Sequence, residues 1–118
     1  MHGFCGRDLD LRDGASWVRF AAAAALPEQI QLLRQVHGTA VLDAEAIESG
    51  AQPLDADGWL SRVHRCSERP VVLGIKTADC FPVILFAPAA GYVGVLHCGW
   101  RGTVDGILPQ ALSRLFAL

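Results

Sequence analysis

The sequence has no excess of charge of either sign. Its ten Lys and Arg residues stand against 12 Asp and Glu residues, for a formal net charge of −2 at pH 7. Proteins that bind nucleic acid usually carry a basic surplus, so we expect no nucleic-acid partner. With 52% hydrophobic and 19% charged residues, the chain is also unlike a disordered tail and predicts a globular fold.

Long apolar runs and an export signal are absent as well. The stretch 81–90 is interrupted by Pro82 and Pro88 and is far shorter than the roughly 20 residues of a spanning helix. No basic region followed by an apolar run begins the chain, so neither a membrane segment nor a secretory signal is indicated. Without export, reduced thiols explain the cysteines better than disulfides do, and we predict a cytoplasmic protein. The cysteines are Cys5, Cys66, Cys80 and Cys98.

The 118 residues contain no internal repeat and no low-complexity linker apart from an alanine run at 21–25. Domains usually run to about 100–150 residues around one core. Residues 1–118 are therefore predicted to be a single domain or part of one.

Strand patterns concentrate in the second half of the chain. The β-branched and apolar runs Val71–Thr77, Pro82–Phe86 and Tyr92–His97 predict three strands. Their nearly continuous apolar character suggests a sheet that is buried on both faces. Shorter strands are predicted at Ser16–Phe20 and Val41–Leu42.

Helix and turn signals surround these strands. Apolar residues recur at helical spacing from Ile107 to Phe116, which predicts a helix with Thr103 as its N-cap. Asp55–Gly58 is a strong turn signal. A strand-rich core with helices at its edge, without regular β–α alternation, indicates the α+β class.

Three residues that follow strand-like runs carry the most distinctive chemistry, namely His37, Cys80 and His97. Together they offer nitrogen, sulfur and nitrogen ligands to a zinc ion and leave a fourth position open. A closed structural zinc site normally has four protein ligands, whereas an open position suits a metal that activates water or substrate. The pattern therefore favours a catalytic metal site.

Each member of this trio also has an ordinary explanation. A free cysteine is most often a small buried hydrophobe, and a lone histidine is often a satisfied core residue. The three residues are widely separated along the chain, unlike the short ligand ladder of a zinc finger. Only the fold can bring them together, so spacing alone leaves the site open.

Neighbouring residues suggest supporting roles. Asp79 precedes Cys80, and its carboxylate suits a group that orients a ligand histidine or binds substrate, although a turn or cap role fits equally well. Two glycines, Gly99 and Gly102, flank the pair Trp100-Arg101 and allow a tight loop and a close backbone approach to a ligand, and the Arg101 guanidinium suits a phosphate or carboxylate. Cys98 follows His97 directly, so along a strand its side chain points to the opposite face, away from a metal.

Other polar residues favour structural explanations. Asp55 and Asp57 are turn formers first and substrate-binding carboxylates only second. His64 and Cys66 lie in a polar stretch that is typical of a solvated loop.

The ordered set of motifs resembles one known family. Gln35–Gly38, Asp57–Gly58, Thr77–Val83 and His97–Thr103 follow one another as in proteins named multicopper polyphenol oxidases, laccase-domain proteins or purine nucleoside phosphorylases. The resemblance covers residues 35–116, which is most of the chain.

The resemblance implies a fold, a site and an activity. In the family two histidines and a cysteine bind zinc, which implies His37, Cys80 and His97 as ligands; copper is associated with some members. The implied fold is an α+β mixed β-sandwich with flanking helices, related to the cysteine-histidine domain of a bacterial toxin deamidase. The implied reactions are phosphorolysis of adenosine, inosine, guanosine and methylthioadenosine, and deamination of adenosine. Arg101 would then bind phosphate.

The sequence departs from the family pattern in three places. Its N-terminal region is abbreviated, Cys98 stands where alanine is usual, and the C-terminal half of the family's length is absent. The resemblance therefore implies that residues 1–118 correspond to the N-terminal half to two thirds of a laccase-domain protein.

Three alternatives stay open beside the zinc-dependent phosphorylase. Cys80 with His97 as its base is the arrangement of a cysteine hydrolase. A metal staple in a partner-binding domain is the non-enzymatic alternative, with the apolar helix Ile107–Phe116 as its pairing surface. Copper laccase chemistry is favoured least, because multicopper oxidases need many histidines and the chain has four.

Overall fold

The computed structural model describes residues 3–6, 13–27, 30–47, 53–63 and 71–117. Within these ranges the elements are α1 (Gly14–Ala23), β1 (Ile30–Gln31), β2 (Val41–Asp43), a 3-10 turn (Ala44–Ala46), β3 (Gly58–Arg62), β4 (Val72–Leu73), β5 (Phe81–Ala87), β6 (Tyr92–Cys98), α2 (Trp100–Asp105) and α3 (Ile107–Phe116). This mixture of strands and helices, without regular alternation, confirms the α+β class. No helix in the described ranges is long and apolar enough to cross a membrane.

A four-stranded mixed sheet in the order β2-β3-β6-β5 forms the centre of the fold. β2 and β3 are parallel, whereas β3 and β5 both run antiparallel to β6. β1 and β4 form a separate parallel pair. β6 lies between two partners, so its backbone is held from both sides, and the strand provides a rigid support for residues near its end.

Helix α3 covers one face of the sheet. Its residues Ile107, Ala111 and Leu115 are spaced four apart and lie in one buried cluster with Leu60 of β3 and Leu96 of β6. Fully burying a leucine or isoleucine side chain contributes about 1.5–3 kcal/mol. This packing holds β3 and β6 against the helix that follows the candidate site.

The opposite face of the sheet packs on the segment that precedes β3. The buried cluster on this side consists of Leu33, Ala44, Ala56 and Trp59. Side chains alternate along a strand, so Val95 packs against this cluster while Leu96 and Cys98 lie in the cluster with α3. His97 therefore projects from the sheet face opposite α3.

The predicted strands are found with changed bounds. β5 and β6 confirm the runs Pro82–Phe86 and Tyr92–His97, and β2 confirms Val41–Leu42. The run Val71–Thr77 forms only the two-residue β4. The expectation of a sheet buried on both faces is wrong at β5, which is an edge strand and leaves Phe86 69% exposed.

The strand predicted at Ser16–Phe20 is wrong, because these residues belong to α1. Asp13 caps this helix: its carboxylate accepts the Ser16 hydroxyl at 2.6 Å and the backbone N–H of Ala15 at 3.0 Å. These hydrogen bonds, led by that of Ser16, hold the pKa of the Asp13 carboxyl below its usual range. Trp17 forms much of the buried face of the helix.

The turn predicted at Asp55–Gly58 is also wrong. Asp55 forms an isolated parallel bridge with Arg34, and Gly58 begins β3. The short local signal of Asp and Gly was overridden by pairing with a distant strand. A Cβ on Gly58 would lie 2.5 Å from a methyl carbon of Leu96, so glycine fits here because the sheet packs closely.

The C-terminal helix is confirmed at Ile107–Phe116, but its predicted cap is wrong. Thr103 lies inside α2, and α3 begins after Gly106, whose φ of 91° places it in the left-handed region. Glycine adopts this conformation at little cost, so Gly106 ends α2 and allows α3 to begin as a separate helix. The predicted loop residues His64 and Cys66 lie outside the described residues.

Candidate metal site

Three separate elements supply the three residues that the sequence singled out. His37 lies in the loop between β1 and β2, Cys80 directly precedes β5, and His97 is the second-last residue of β6. Pairing of the two strands places Pro82 opposite His97, which brings the residues before β5 next to the end of β6. One ligand atom of each of the three residues lies within 4.8 Å of the others.

The distances between these ligand atoms suit a single metal ion. Cys80 Sγ lies 3.9 Å from His37 Nε2, and the rings of His37 and His97 meet edge to face with centroids 4.8 Å apart. Zinc bonds of about 2.3 Å to sulfur and 2.0 Å to nitrogen place tetrahedral ligand atoms about 3.3–3.5 Å apart. To bind one zinc ion, the ligand atoms, which lie within 4.8 Å of one another, must draw closer, and the mixed nitrogen and sulfur donors fit this metal.

Burial is graded across the trio. His97 is only 3% exposed, Cys80 is half-buried, and His37 is exposed. The site is thus anchored in the protein at His97 and faces solvent at His37. Access from one side is what a ligand set with an open position requires.

Asp57 is the residue that connects the site to the core. Its side chain is fully buried, and one carboxylate oxygen, Oδ1, lies 2.8 Å from His97 Nδ1 and accepts the backbone N–H of His37 at 3.0 Å. The other oxygen, Oδ2, accepts the N–H of Val36 at 3.2 Å and of Gly38 at 2.7 Å. One carboxylate therefore contacts the segments that carry both histidines.

The backbone of His37 is in the left-handed region, with a φ of 61°. This conformation is uncommon for a residue with a Cβ and costs of order 1–3 kcal/mol, so the surroundings must hold it in place. The three consecutive N–H groups that point at Asp57 provide that hold.

Two glycines allow α2 to approach the site closely. A Cβ on Gly99 would lie 2.6 Å from His37 Cδ2 and 3.5 Å from Cys80 Sγ. A Cβ on Gly102 would lie 2.5 Å from the carbonyl oxygen of Gly38. The sequence predicted a close backbone approach to a ligand, whereas the close approach in the structure is that of α2 to the His37 loop.

Arg101 is not in a tight loop as expected, because residues 100–105 form α2. Its side chain is exposed, and its guanidinium lies over the Trp100 ring, 5.3 Å from the centroid. Trp100 itself is 71% exposed. Both residues follow the site directly in the chain, and the guanidinium is free to meet an anion from solvent.

Asp79 and Cys98 occupy different surroundings. Asp79 is exposed, and its Oδ1 lies 3.9 Å from Cys80 Sγ; the carboxylate beside His97 belongs to Asp57 instead. Cys98 is buried in the cluster with α3, and burial raises the pKa of its thiol. As expected from the pleat of β6, Cys98 is not part of the trio.

Sequence reasoning missed the importance of Asp57. An Asp-Gly pair reads locally as a turn, and nothing nearby in the sequence shows that the carboxylate is buried. The available signal was its place in the ordered motifs, between the His37 and Cys80 segments.

Comparisons with known proteins show the family to which the chain belongs. Residues 12–117 match the family model described as "Multi-copper polyphenol oxidoreductase laccase". The chain is 38% identical over 100 residues to a purine nucleoside phosphorylase of Xylella fastidiosa. This match covers 82% of the chain and 36% of that protein. It is 33% identical over 108 residues to a purine nucleoside phosphorylase of Aquifex aeolicus, covering 92% and 48%.

Other relatives carry different names. The adenosine deaminase RL5 from an unknown prokaryotic organism is 37% identical over 92 residues, covering 75% of this chain and 34% of that protein. The solved structure of YlmD from Geobacillus stearothermophilus superposes with a TM-score of 0.67 at 27% identity, covering 96% and 46%. The chain spans between 34% and 48% of the length of these curated relatives.

Proposed function

Because the chain belongs to the multi-copper polyphenol oxidoreductase laccase family, as its motifs suggested, we propose that it carries the metal centre of an enzyme acting on purine nucleosides. The observation that carries the proposal is the convergence of His37, Cys80 and His97, whose ligand atoms lie within 4.8 Å of one another.

The proposed ligands are His37 Nε2, Cys80 Sγ and His97 Nε2. The proposal is supported by the 3.9 Å separation of the first two atoms, and by Asp57, which occupies His97 Nδ1 and leaves Nε2 available. Zinc is the proposed metal and copper the alternative, since imidazole and thiolate suit both. A metal ion with three protein ligands keeps a position for substrate or water and acts there as a Lewis acid.

The proposed reaction is phosphorolysis of adenosine, inosine, guanosine or methylthioadenosine. A phosphate oxygen forms a bond to C1′ of the ribose, and the glycosidic bond breaks. The base leaves with the electron pair and gains a proton, which gives the free base and ribose 1-phosphate, or 5-methylthioribose 1-phosphate when the substrate is methylthioadenosine. Relatives named purine nucleoside phosphorylase support this substrate class.

Two residues beside the ligands have proposed substrate roles. Arg101 binds the phosphate, since its exposed guanidinium is the cation nearest in sequence to His97. Asp79 contacts the nucleoside from beside Cys80, an assignment supported by its exposure next to the Sγ atom.

Adenosine deamination is the second proposed activity, because one relative is named adenosine deaminase. In this reaction water attacks the carbon that bears the exocyclic amine, and ammonia leaves. Products separate the two activities, since deamination of adenosine yields inosine and phosphorolysis yields adenine.

The test incubates the zinc-loaded chain with adenosine or inosine, with and without phosphate, and separates the products by chromatography. We expect phosphate-dependent release of the free base from the wild type and none from Cys80→Ser. Asp55→Asn, which changes an exposed carboxylate paired with Arg34, is the matched control and should keep activity.

Two results would contradict the proposal. One is no product from a folded chain that has bound zinc. The other is activity that Cys80→Ala abolishes but chelators leave intact, which would indicate a cysteine hydrolase with Cys80 as nucleophile.

A further inference from the structure

Asp57 is buried at the centre of the site without being one of the metal ligands. We propose that it is a positioning residue that presets both histidines: it selects the tautomer of His97 and holds the backbone of His37 in its left-handed conformation. The proposal rests on the metal site described under the proposed function, and it adds the residue on which the geometry of that site depends.

The chemistry of the donors around the carboxylate identifies its role. The backbone N–H groups of Val36, His37 and Gly38 can only donate, and together they occupy both carboxylate oxygens. Asp57 is fully buried, so water does not compete for those oxygens. Each oxygen already accepts from a backbone N–H donor, so Asp57 acts as a hydrogen-bond acceptor in these contacts.

His97 Nδ1 is therefore the donor in its 2.8 Å contact with Asp57. A neutral imidazole that carries its proton on Nδ1 has its lone pair on Nε2. This assignment orients the ring and presents Nε2 as the atom that binds metal. Carboxylates that accept from ligand histidines commonly raise metal affinity in this way.

The same carboxylate also holds the loop of His37. Three successive N–H groups aimed at one anion form a nest, and the left-handed φ of 61° at His37 is the bend that lets them converge. Without the anion the three donors lose their partner, and His37 is free to return to an ordinary φ. Its Nε2 would then move away from Cys80 Sγ.

The main chain of Asp57 fixes the carboxylate relative to both histidines. Its N–H donates to Ala40 at 2.9 Å, and its carbonyl accepts the N–H of His97 at 2.7 Å. The neighbouring pair Gly58 and Leu96 is in register between β3 and β6. The carboxylate is thus carried by the sheet, which makes it a rigid reference point for the loop.

The variant Asp57→Asn tests this role with little change in shape. If the amide nitrogen of the new side chain takes the place of Oδ1, this donor faces the N–H of His37 and the Nδ1 atom of His97. An amide donor beside Nδ1 favours a lone pair on Nδ1, so the ring proton of His97 moves to Nε2. If the nitrogen takes the place of Oδ2, it faces the N–H groups of Val36 and Gly38. In either orientation the amide NH₂ group faces backbone N–H donors that it cannot accept from. The first orientation disturbs the tautomer of His97, and the second disturbs the loop of His37.

The first readout is the tautomer of His97 in the metal-free chain, measured by long-range ¹H–¹⁵N NMR. We expect the wild type to carry the proton on Nδ1. A wild-type His97 with its proton on Nε2 would overturn the proposal without any variant, so the test does not depend on whether Asp57→Asn folds.

The second readout is zinc affinity, measured by competition with a chromophoric chelator. We expect Asp57→Asn to weaken binding by about 10–100-fold. Asp55→Asn is the matched control: it lies two residues away, its side chain is 48% exposed and bonded to Arg34, and it should keep wild-type affinity. Equal affinity and an equal His97 tautomer in Asp57→Asn and wild type would overturn the proposal.

The two readouts also separate this proposal from the proposed function. A wild-type chain that binds no zinc contradicts the metal site, whereas the metal-free tautomer still decides whether Asp57 sets His97. A zinc-binding chain without phosphorolysis leaves the affinity comparison intact and contradicts only the reaction.

Discussion

Gly102 packs directly against the carbonyl oxygen of Gly38, so that a Cβ on residue 102 would lie 2.5 Å from that oxygen. The contact joins helix α2 to the loop that carries His37. Since α2 follows β6 immediately, the contact joins the segment after His97 to the loop of His37. The glycines on either side of Trp100-Arg101 therefore contribute to the site by letting α2 pack closely against the His37 loop.

Gly102→Ala should destabilise the fold, because the atom it meets is a backbone carbonyl that cannot rotate away. Overpacking of this kind typically costs about 1–3 kcal/mol, and urea unfolding measures it. Gly14→Ala is the matched control, since a Cβ there meets nothing within 4 Å. Equal unfolding midpoints for both variants would show that α2 is not packed on the loop as described.

Gly99→Ala should instead weaken metal binding more than it weakens the fold. The φ of −67° and ψ of 161° at Gly99 accept alanine, and the closest atom to the added Cβ is His37 Cδ2, on an exposed side chain that can move. We expect zinc affinity to fall by about tenfold or more, with an unfolding free energy near that of the wild type.

The outcome for Gly99→Ala is measured by chelator competition and urea unfolding on the same samples. Unchanged zinc affinity would mean that the His37 ring is not held against Gly99 when the metal binds. A loss of stability as large as that of Gly102→Ala would mean that the backbone, rather than His37, meets the new methyl group.

Thiol labelling should distinguish the cysteines by their surroundings. Cys5 is exposed and Cys80 is half-buried, whereas Cys98 is 7% exposed and burial raises the pKa of its thiol. Reactivity follows the accessible thiolate, so iodoacetamide should modify the first two and spare Cys98 in the native chain.

Zinc should then protect Cys80 and leave Cys5 reactive. Peptide mapping by mass spectrometry reports each cysteine separately, including Cys66, which lies outside the described residues. Labelling of Cys80 at the same rate with and without zinc would count against its role as a ligand.

Acid should weaken α1 through its cap. The hydrogen bond from Ser16, with that from the Ala15 N–H, lowers the pKa of the Asp13 carboxyl. A lowered pKa in the folded state means that the stabilisation is present above the pKa of an unfolded aspartate, about 3.9, and is lost as the pH falls through the lower folded value.

Asp13→Asn keeps an acceptor at the cap but does not titrate. The melting temperature of the wild type, followed by circular dichroism, should therefore fall relative to that of Asp13→Asn between about pH 5 and pH 2. A difference between the two proteins that stays constant over this range would contradict the assignment of Asp13 as a charged cap.

Local patterns predicted the parts of the fold whose signals are local. β5, β6 and α3 are long apolar or periodic runs, and their sequence positions were found with small changes of bounds. The strand predicted at Ser16–Phe20 is wrong, because these residues belong to α1, whose N-cap is Asp13.

Long-range contacts account for what the sequence did not predict. β3 contains only two large apolar residues, Trp59 and Leu60, and becomes a strand because β2 and β6 pair with it on either side. Asp57, directly before β3, resembles a turn residue in the sequence. Its role becomes visible only with its hydrogen-bond partners, which are backbone N–H groups of residues 36–38 and the His97 ring. The trio was found by residue type, whereas its supporting carboxylate depends on the fold.

X-ray absorption spectroscopy of the chain loaded with one equivalent of zinc tests the central claim, a single metal held by His37, Cys80 and His97, most directly. We predict one sulfur neighbour at about 2.3 Å and nitrogen or oxygen neighbours at about 2.0–2.1 Å, including two imidazoles. Cys80→Ser should remove the sulfur neighbour. A zinc ion without a sulfur neighbour in the wild type, or a sulfur neighbour that survives in Cys80→Ser, would contradict the account.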